Sequence, residues 1–211
     1  MPPEFLNDIS HAFNRRIGKY HDTAQGVLWK NADGQLLRFE LLAGILDDAP
    51  TPGTASGAVS VNDLGCGYGA LLDFLGTLPG MPDFDYAGYD IAENMIATAR
   101  ARDTKGLGKF SVAQVPNRIA DYSFVSGTYN LKIGVEDDLW RDFVRNSLAE
   151  LWSRTDVAMA FNMLDARAPK HLDGLYYGDA DDLMDFARSL SPNVTLIDDY
   201  PLDEWTIYLR R

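Results

Sequence analysis

The run Val61-Asn62-Asp63-Leu64-Gly65-Cys66-Gly67-Tyr68-Gly69-Ala70 decides how this chain is read. Residues 58–64 (AVSVNDL) are apolar enough for a short buried strand that ends near an acid. Glycines then follow at alternate positions, and residues 71–75 (LLDFL) return to helical spacing. A strand, a glycine turn and a helix in that order put the turn at the carboxyl edge of a sheet, where ligands bind. Glycines let the chain turn sharply and let a ligand lie against backbone that a Cβ would obstruct. Twenty-one residues beyond Gly69, Asp90 closes a second strand, DFDYAGYD (83–90). A carboxylate at that strand end can accept both hydrogen bonds of a ribose diol.

Further along, a helix is predicted from Glu93 to about Arg102, with Met95, Ile96 and Ala99 inward. KFSVAQV (109–115), DYSFVSG (121–127) and TDVAMAFNM (155–163) give a third, fourth and fifth strand. Residues 137–153 carry Leu139, Trp140, Phe143, Val144, Leu148, Leu151 and Trp152 on one side, the strongest helical signal in the chain. Trp140 and Trp152 are therefore read as core. Strands alternating with helices make right-handed crossovers and a mostly parallel α/β sheet covered on both faces. The end of the chain departs from that pattern. After a helix near 180–190, NVTLIDDY and EWTIYLRR are joined by Pro201, Leu202 and Asp203, too few residues for a crossover helix, so the pair must be an antiparallel hairpin. Before the glycine run, residues 35–48 place Leu36, Phe39, Leu42, Ala43 and Leu46 at helical spacing and give an N-terminal lead-in, and residues 50–57 read as a loop.

The chain has 211 residues, 31 acidic and 19 basic, for a formal net charge of −12. Such a charge repels a phosphate backbone, and the basic residues are scattered, so nucleic acid is not an expected partner. The apolar runs stop well short of a membrane span, and Glu4, Asp8, Arg15 and Arg16 interrupt the start where a signal peptide needs an apolar run. Neither a membrane nor export is expected. One cysteine, Cys66, fits a reducing, cytoplasmic setting, and three His without zinc spacing leave no metal site in view.

Two ligand classes suit the glycine run. Gly65, Gly67 and Ala70 satisfy a dinucleotide fingerprint, which would make the chain an NAD(P)-dependent oxidoreductase. Asp63 argues against it, because a carboxylate there would face a diphosphate but suits a ligand carrying an amine and a sulfonium. At this point the chain resembles the class I S-adenosylmethionine-dependent methyltransferases. Their acid followed by GxGxG is matched by Asp63 to Gly69, their ribose-binding acid by Asp90, and their antiparallel final strand by the hairpin. The ends are similar to small bacterial members of mostly unassigned substrate, through Gly26-Val27-Leu28-Trp29, Gln35-xx-Arg38-Phe39 and Asp199-Tyr200-Pro201-Leu202-xx-Trp205-Thr206.

The resemblance implies a Rossmann-like, doubly wound seven-stranded sheet in a single domain, with residues 1–48 as a helical lid and 58–211 as the cofactor-binding core. It also implies roles for residues. Asp63, Gly65, Cys66, Gly67 and Gly69 would hold the cofactor, Ile91 and Met95 would flank its adenine, and Gln114 and Val115 would lie at the adenine edge. Many members carry Asp near Gln114, so here an amide would meet the adenine amino group. Ser126 would lie beneath the methionine portion, and Arg38 would pair with the cofactor carboxylate. His21, Tyr129 and Asn130 are the catalytic candidates. The fourth strand ends Ser126-Gly127-Thr128-Tyr129 rather than in the Asn/Asp-Pro-Pro-Tyr/Phe of amino-methylating nucleic-acid enzymes, which favours a small-molecule acceptor. A catalytically silent cofactor-binding module is the third reading. At single positions plainer roles compete, and Asp90 could simply cap the helix that follows it.

Overall fold

A computed structural model describes residues 3–46, 58–78 and 84–211. Among them, seven strands form one sheet: β1 (Val59–Leu64), β2 (Phe84–Asp90), β3 (Gly108–Val112), β4 (Ala120–Ser126), β5 (Thr155–Leu164), β6 (Asn193–Ile197) and β7 (Glu204–Arg210). Their spatial order is β3-β2-β1-β4-β5-β7-β6. The first five are parallel, and β7 runs antiparallel to both β5 and β6. The predicted hairpin is present, with β7 placed inside the sheet and β6 at its edge. The predicted loop at 50–57 lies outside the described residues.

The sheet direction of travel reverses between β1 and β4, and this switch point opens a crevice at the carboxyl ends of those strands. β1 is hydrogen-bonded on both sides, so even Asn62 and Asp63 are buried. Helices α3 (Ala70–Leu75), α4 (Glu93–Arg102), α5 (Asp137–Trp152) and α6 (Ala180–Leu190) cover the faces. Met95, Ile96 and Ala99 of α4 point inward, and on α5 the stripe Trp140, Val144, Leu148, Leu151 and Trp152 is buried. Leu139 of that expected stripe is exposed instead.

Two helices precede the sheet: α1 (Phe5–Tyr20) and α2 (Ala32–Ala43), the latter ending in a 3-10 turn, Gly44–Leu46. α2 starts three residues before the predicted position because Asn31 caps it, accepting from Gly34 N–H at 2.8 Å. Its inward face also differs. Phe39, Leu42 and Ala43 are buried as expected, but Leu36 is 46% exposed while Gln35 and Arg38 are buried. Each of those polar residues has a buried partner: the Tyr68 hydroxyl donates to Gln35 at 2.9 Å, and Arg38 pairs with Glu204 of β7. The helix turned its hydrogen-bonded residues inward at the expense of one leucine.

α1 lies across the crevice. Its Leu6, Ile9 and Ile17 are buried, Phe5 packs on Trp140 and Phe143 with ring centroids 5.6 and 5.4 Å apart, and Ser10 Oγ donates to the Ile91 carbonyl at 3.0 Å. A further tie runs from Asn94 N–H to the Asn14 side chain at 2.9 Å.

Candidate active site

The turn after β1 is held open by backbone geometry. Gly65 N–H and Cys66 N–H both donate to the Tyr89 carbonyl, at 2.7 and 3.0 Å, which folds the turn against the end of β2. Gly65 has φ 77°, and a Cβ there would sit 2.1 Å from Thr128 Oγ1, so only glycine fits. Thr128 in turn donates to the Leu64 carbonyl at 2.8 Å, tying the β4 end to the same turn.

Asp90 stands at the tip of β2 with both oxygens in use: Oδ2 accepts from Gly67 N–H at 3.0 Å and Oδ1 from Ala92 N–H at 2.8 Å. The residue at the N-cap of α4 is Ala92, with no side-chain cap bond, so Asp90 braces the glycine turn and does not cap the helix. Asp63 is 2% exposed and accepts a hydrogen bond from the Tyr86 hydroxyl. Burial pushes its carboxyl up to about 7, opposed by that hydrogen bond. Burial likewise lifts Asp90 to about 6 against the pull of its backbone donors.

These two elevated acids set a sign for stability against pH. A carboxyl whose folded pKa exceeds its unfolded value binds more protons in the fold, so each makes the free protein less stable as pH rises from about 4 through 7. Asp63, the more enclosed, carries more of this. The thermal midpoint of the ligand-free protein is therefore expected to fall between pH 5 and pH 8, and Asp63→Asn is expected to flatten that fall. Equal slopes for the two proteins in thermal melts would remove Asp63 as the cause.

Around these groups is a cavity of about 990 Å³, counted to its open mouth. Asp63, Gly65, Cys66, Gly67, Asp90, Ile91, Met95, Gln114, Ser126 and Tyr129 all line it, so ten of the fifteen residues singled out in the sequence come together. Gly69, Val115, Arg38, His21 and Asn130 do not line it. Gly69 has φ 82° and starts α3, Val115 lies past the end of β3 and is 37% exposed, and His21 is exposed just beyond α1. Asn130 is buried behind the β4 end, accepting from Leu164 N–H at 3.2 Å. Arg38 is held by Glu204, as above. Trp140, read as core, is buried and also contributes to the wall.

No protein-family model matches the chain. Among solved structures, magnesium protoporphyrin IX methyltransferase from Synechocystis PCC 6803 with bound S-adenosylmethionine superposes with a TM-score of 0.68 at 14% identity, covering 100% of this chain and 98% of that one. The DhpI complex with S-adenosylhomocysteine gives 0.67 at 14% identity, over 99% and 97%. A curated Mycobacterium tuberculosis H37Rv protein named "Putative methyltransferase Rv1506c" is 37% identical over 161 residues, 74% of this chain and 96% of that protein. The chain belongs to the S-adenosylmethionine-dependent methyltransferases. The NAD(P) reading of the glycine run gives way to this one.

Within the methyltransferase, two kinds of residue escaped the sequence reading. Leu6, Ile9 and Phe13 of α1 reach the cavity, although the polar residues between them hide the stripe. Trp29, Phe143 and Ser147 also line it. Trp29 was visible in the Gly26-Val27-Leu28-Trp29 run without a role, and here its ring occupies the space beside Gly127 where a Cβ would stand. Cys66 is buried, and its thiol is held well above the ordinary range by that burial, so it is a small wall residue and not a nucleophile. Among the described residues no helix is long and apolar enough to cross a membrane.

Proposed function

We propose that this protein transfers the methyl group of S-adenosylmethionine to a small-molecule acceptor by in-line displacement in the cytoplasm, with residues 1–48 as the lid, 58–211 as the cofactor-binding core and no nucleic-acid partner. The observation that supports it best is the convergence of Asp63, Asp90 and the open glycine turn on one cavity. The donor set fits the cofactor. Asp90 has lone pairs left for a ribose diol, Asp63 offers a carboxylate to a cationic group, and Ser126 Oγ is buried among the described residues with no hydrogen-bond partner. Ile91 and Met95 would flank the adenine, with the Gln114 amide at its edge.

When bound, the cofactor supplies an electrophilic methyl carbon, which bonds to the acceptor lone pair as the carbon–sulfur bond breaks and sulfur keeps the electron pair. The chain's own work is placement and exclusion of water. Holding reactants in line can supply roughly 7–11 kcal/mol of the barrier. Tyr129 acts as a hydrogen-bonding wall and not as a phenolate base, because burial holds its phenol well above the ordinary range and its hydroxyl already donates to Ser147 Oγ at 2.7 Å. Asn130 supports that wall from behind, and His21 is assigned to the lid's end.

Calorimetric titration tests the reading: S-adenosylhomocysteine is expected to bind at micromolar Kd, with NADH and NADPH unable to compete. Binding of a nicotinamide, or of neither, would overturn it. Ser126→Ala is expected to weaken S-adenosylhomocysteine binding about fivefold, the equivalent of one net hydrogen bond of roughly 1 kcal/mol. An unchanged Kd would take Ser126 out of the cofactor site.

A further inference from the structure

The cavity does not end at the groups assigned to the cofactor. Its lining also takes in Leu6 and Ile9 of α1, Trp140, Phe143 and Ser147 of α5, and Tyr129 after β4, which together mark a chamber between α1 and α5. The polar atoms of this wall are already paired with one another: Trp140 Nε1 donates to the Tyr129 carbonyl at 2.9 Å, and the Tyr129 hydroxyl donates to Ser147 Oγ. That pairing leaves lone pairs on the two hydroxyls for one neutral polar group of a ligand.

Charge narrows the occupant further. Among the described residues that line the cavity none is Lys, Arg or His, and the acids Asp63 and Asp90 stand at its other end. An anion in the chamber would lose its hydration with no cation to replace it. A cation would need the faces of several rings turned toward one point. The rings here pack on one another, Tyr129 against Phe143 at 79° and Phe143 against Phe5 behind it at 85°, both edge to face.

We propose that the chamber between α1 and α5 is the acceptor subsite and that it takes an uncharged, apolar molecule carrying one hydroxyl or comparable polar group toward the Tyr129–Ser147 pair. This deepens the proposed function and rests on the cofactor occupying the other half of the cavity. Ser147 is then a specificity-determining residue, since it supplies the pocket's adaptable polar contact and also sets its depth.

The test uses protein saturated with S-adenosylhomocysteine and titrated with naphthol, naphthoate and naphthyltrimethylammonium. Naphthol is expected to bind at least tenfold more tightly than either charged probe. Ser147→Leu, which fills the chamber, is expected to remove naphthol binding while the S-adenosylhomocysteine Kd stays within twofold. If that variant fails to fold, Leu6→Phe narrows the same chamber from the α1 side, with the same expectation. Tighter binding of a charged probe, no binding of naphthol to the loaded protein, or naphthol affinity unaltered by the filling variant would each overturn the inference alone. Failure of S-adenosylhomocysteine itself to bind would instead overturn the proposed function, and this inference with it.

Discussion

Replacing Asp90 by alanine is expected to weaken S-adenosylhomocysteine binding about a hundredfold in calorimetric titration, while the thermal midpoint of the free protein moves by no more than a few degrees. Each Asp90 oxygen already accepts one backbone N–H, from Gly67 or Ala92, which fixes the carboxylate plane. The second lone pair on each oxygen is free for the two hydroxyls of a ribose. Hydrogen bonds to a charged group contribute about 1.5–3 kcal/mol each. Two at the lower end give about 3 kcal/mol, and 1.4 kcal/mol is tenfold in Kd. The free protein loses less, because water in the cavity can reach the two N–H groups that the carboxylate leaves behind. Asp90→Asn separates the two roles, since its amide can accept from one N–H but presents a donor to the other. An analogue lacking both ribose hydroxyls should bind the native protein and Asp90→Ala with similar affinity. If the variant weakens that analogue as much as the parent ligand, Asp90 acts only by shaping the turn.

Asp90 and the glycine run were legible in the sequence for a shared reason: tight turns and strand ends accept few residue types, so local chemistry announces itself. The Gly65 turn allows no Cβ, and the spacing to Asp90 follows from one strand-helix-strand unit. The hairpin was equally readable because chain length alone forbade a crossover. By contrast, α1 mixes Asp8, His11, Asn14, Arg15 and Arg16 among its apolar positions, and only the crevice beneath it tells which face is covered. The end of β3 was also read too long. Gly108–Val112 pairs with β2, and Ala113 marks where the chain leaves the sheet, which takes Gln114 to the cavity and leaves Val115 facing solvent. Long-range pairing is the hardest case. Arg38 is assigned to the cofactor carboxylate by the resemblance alone, and no local pattern points to its actual partner Glu204, 166 residues away.

That pair carries the second large effect. Glu204→Ala is expected to destabilise the protein by about 3–5 kcal/mol, because truncating one member of a buried ion pair leaves the other charge uncompensated. At 2–4 °C per kcal/mol for a chain of this size, the thermal midpoint should fall by about 10 °C. Glu204 is 3% exposed and Arg38 8%. Arg38 Nε donates to Oε2 at 2.8 Å while its second amine meets Oε1, a fork-to-fork contact. The Arg38 guanidinium also stacks 3.9 Å from the Trp29 ring centroid, and Glu204 accepts from Asn162 Nδ2 at 3.1 Å, whose Oδ1 accepts from Gly127 N–H at 2.8 Å. The ion pair thus ties α2 to β7 and sits behind Trp29 and Gly127, two walls of the cavity. Replacing both members with leucine should recover much of the loss, since a matched apolar pair leaves no buried charge. A double variant no more stable than Glu204→Ala would mean that the two side chains are not coupled. The same variants separate the roles of Arg38. If Arg38 only braces the wall, Arg38→Met and Glu204→Ala should weaken S-adenosylhomocysteine binding equally. If Arg38 leaves Glu204 to meet the cofactor carboxylate, Arg38→Met should cost at least tenfold more affinity than Glu204→Ala, which frees the guanidinium for that contact.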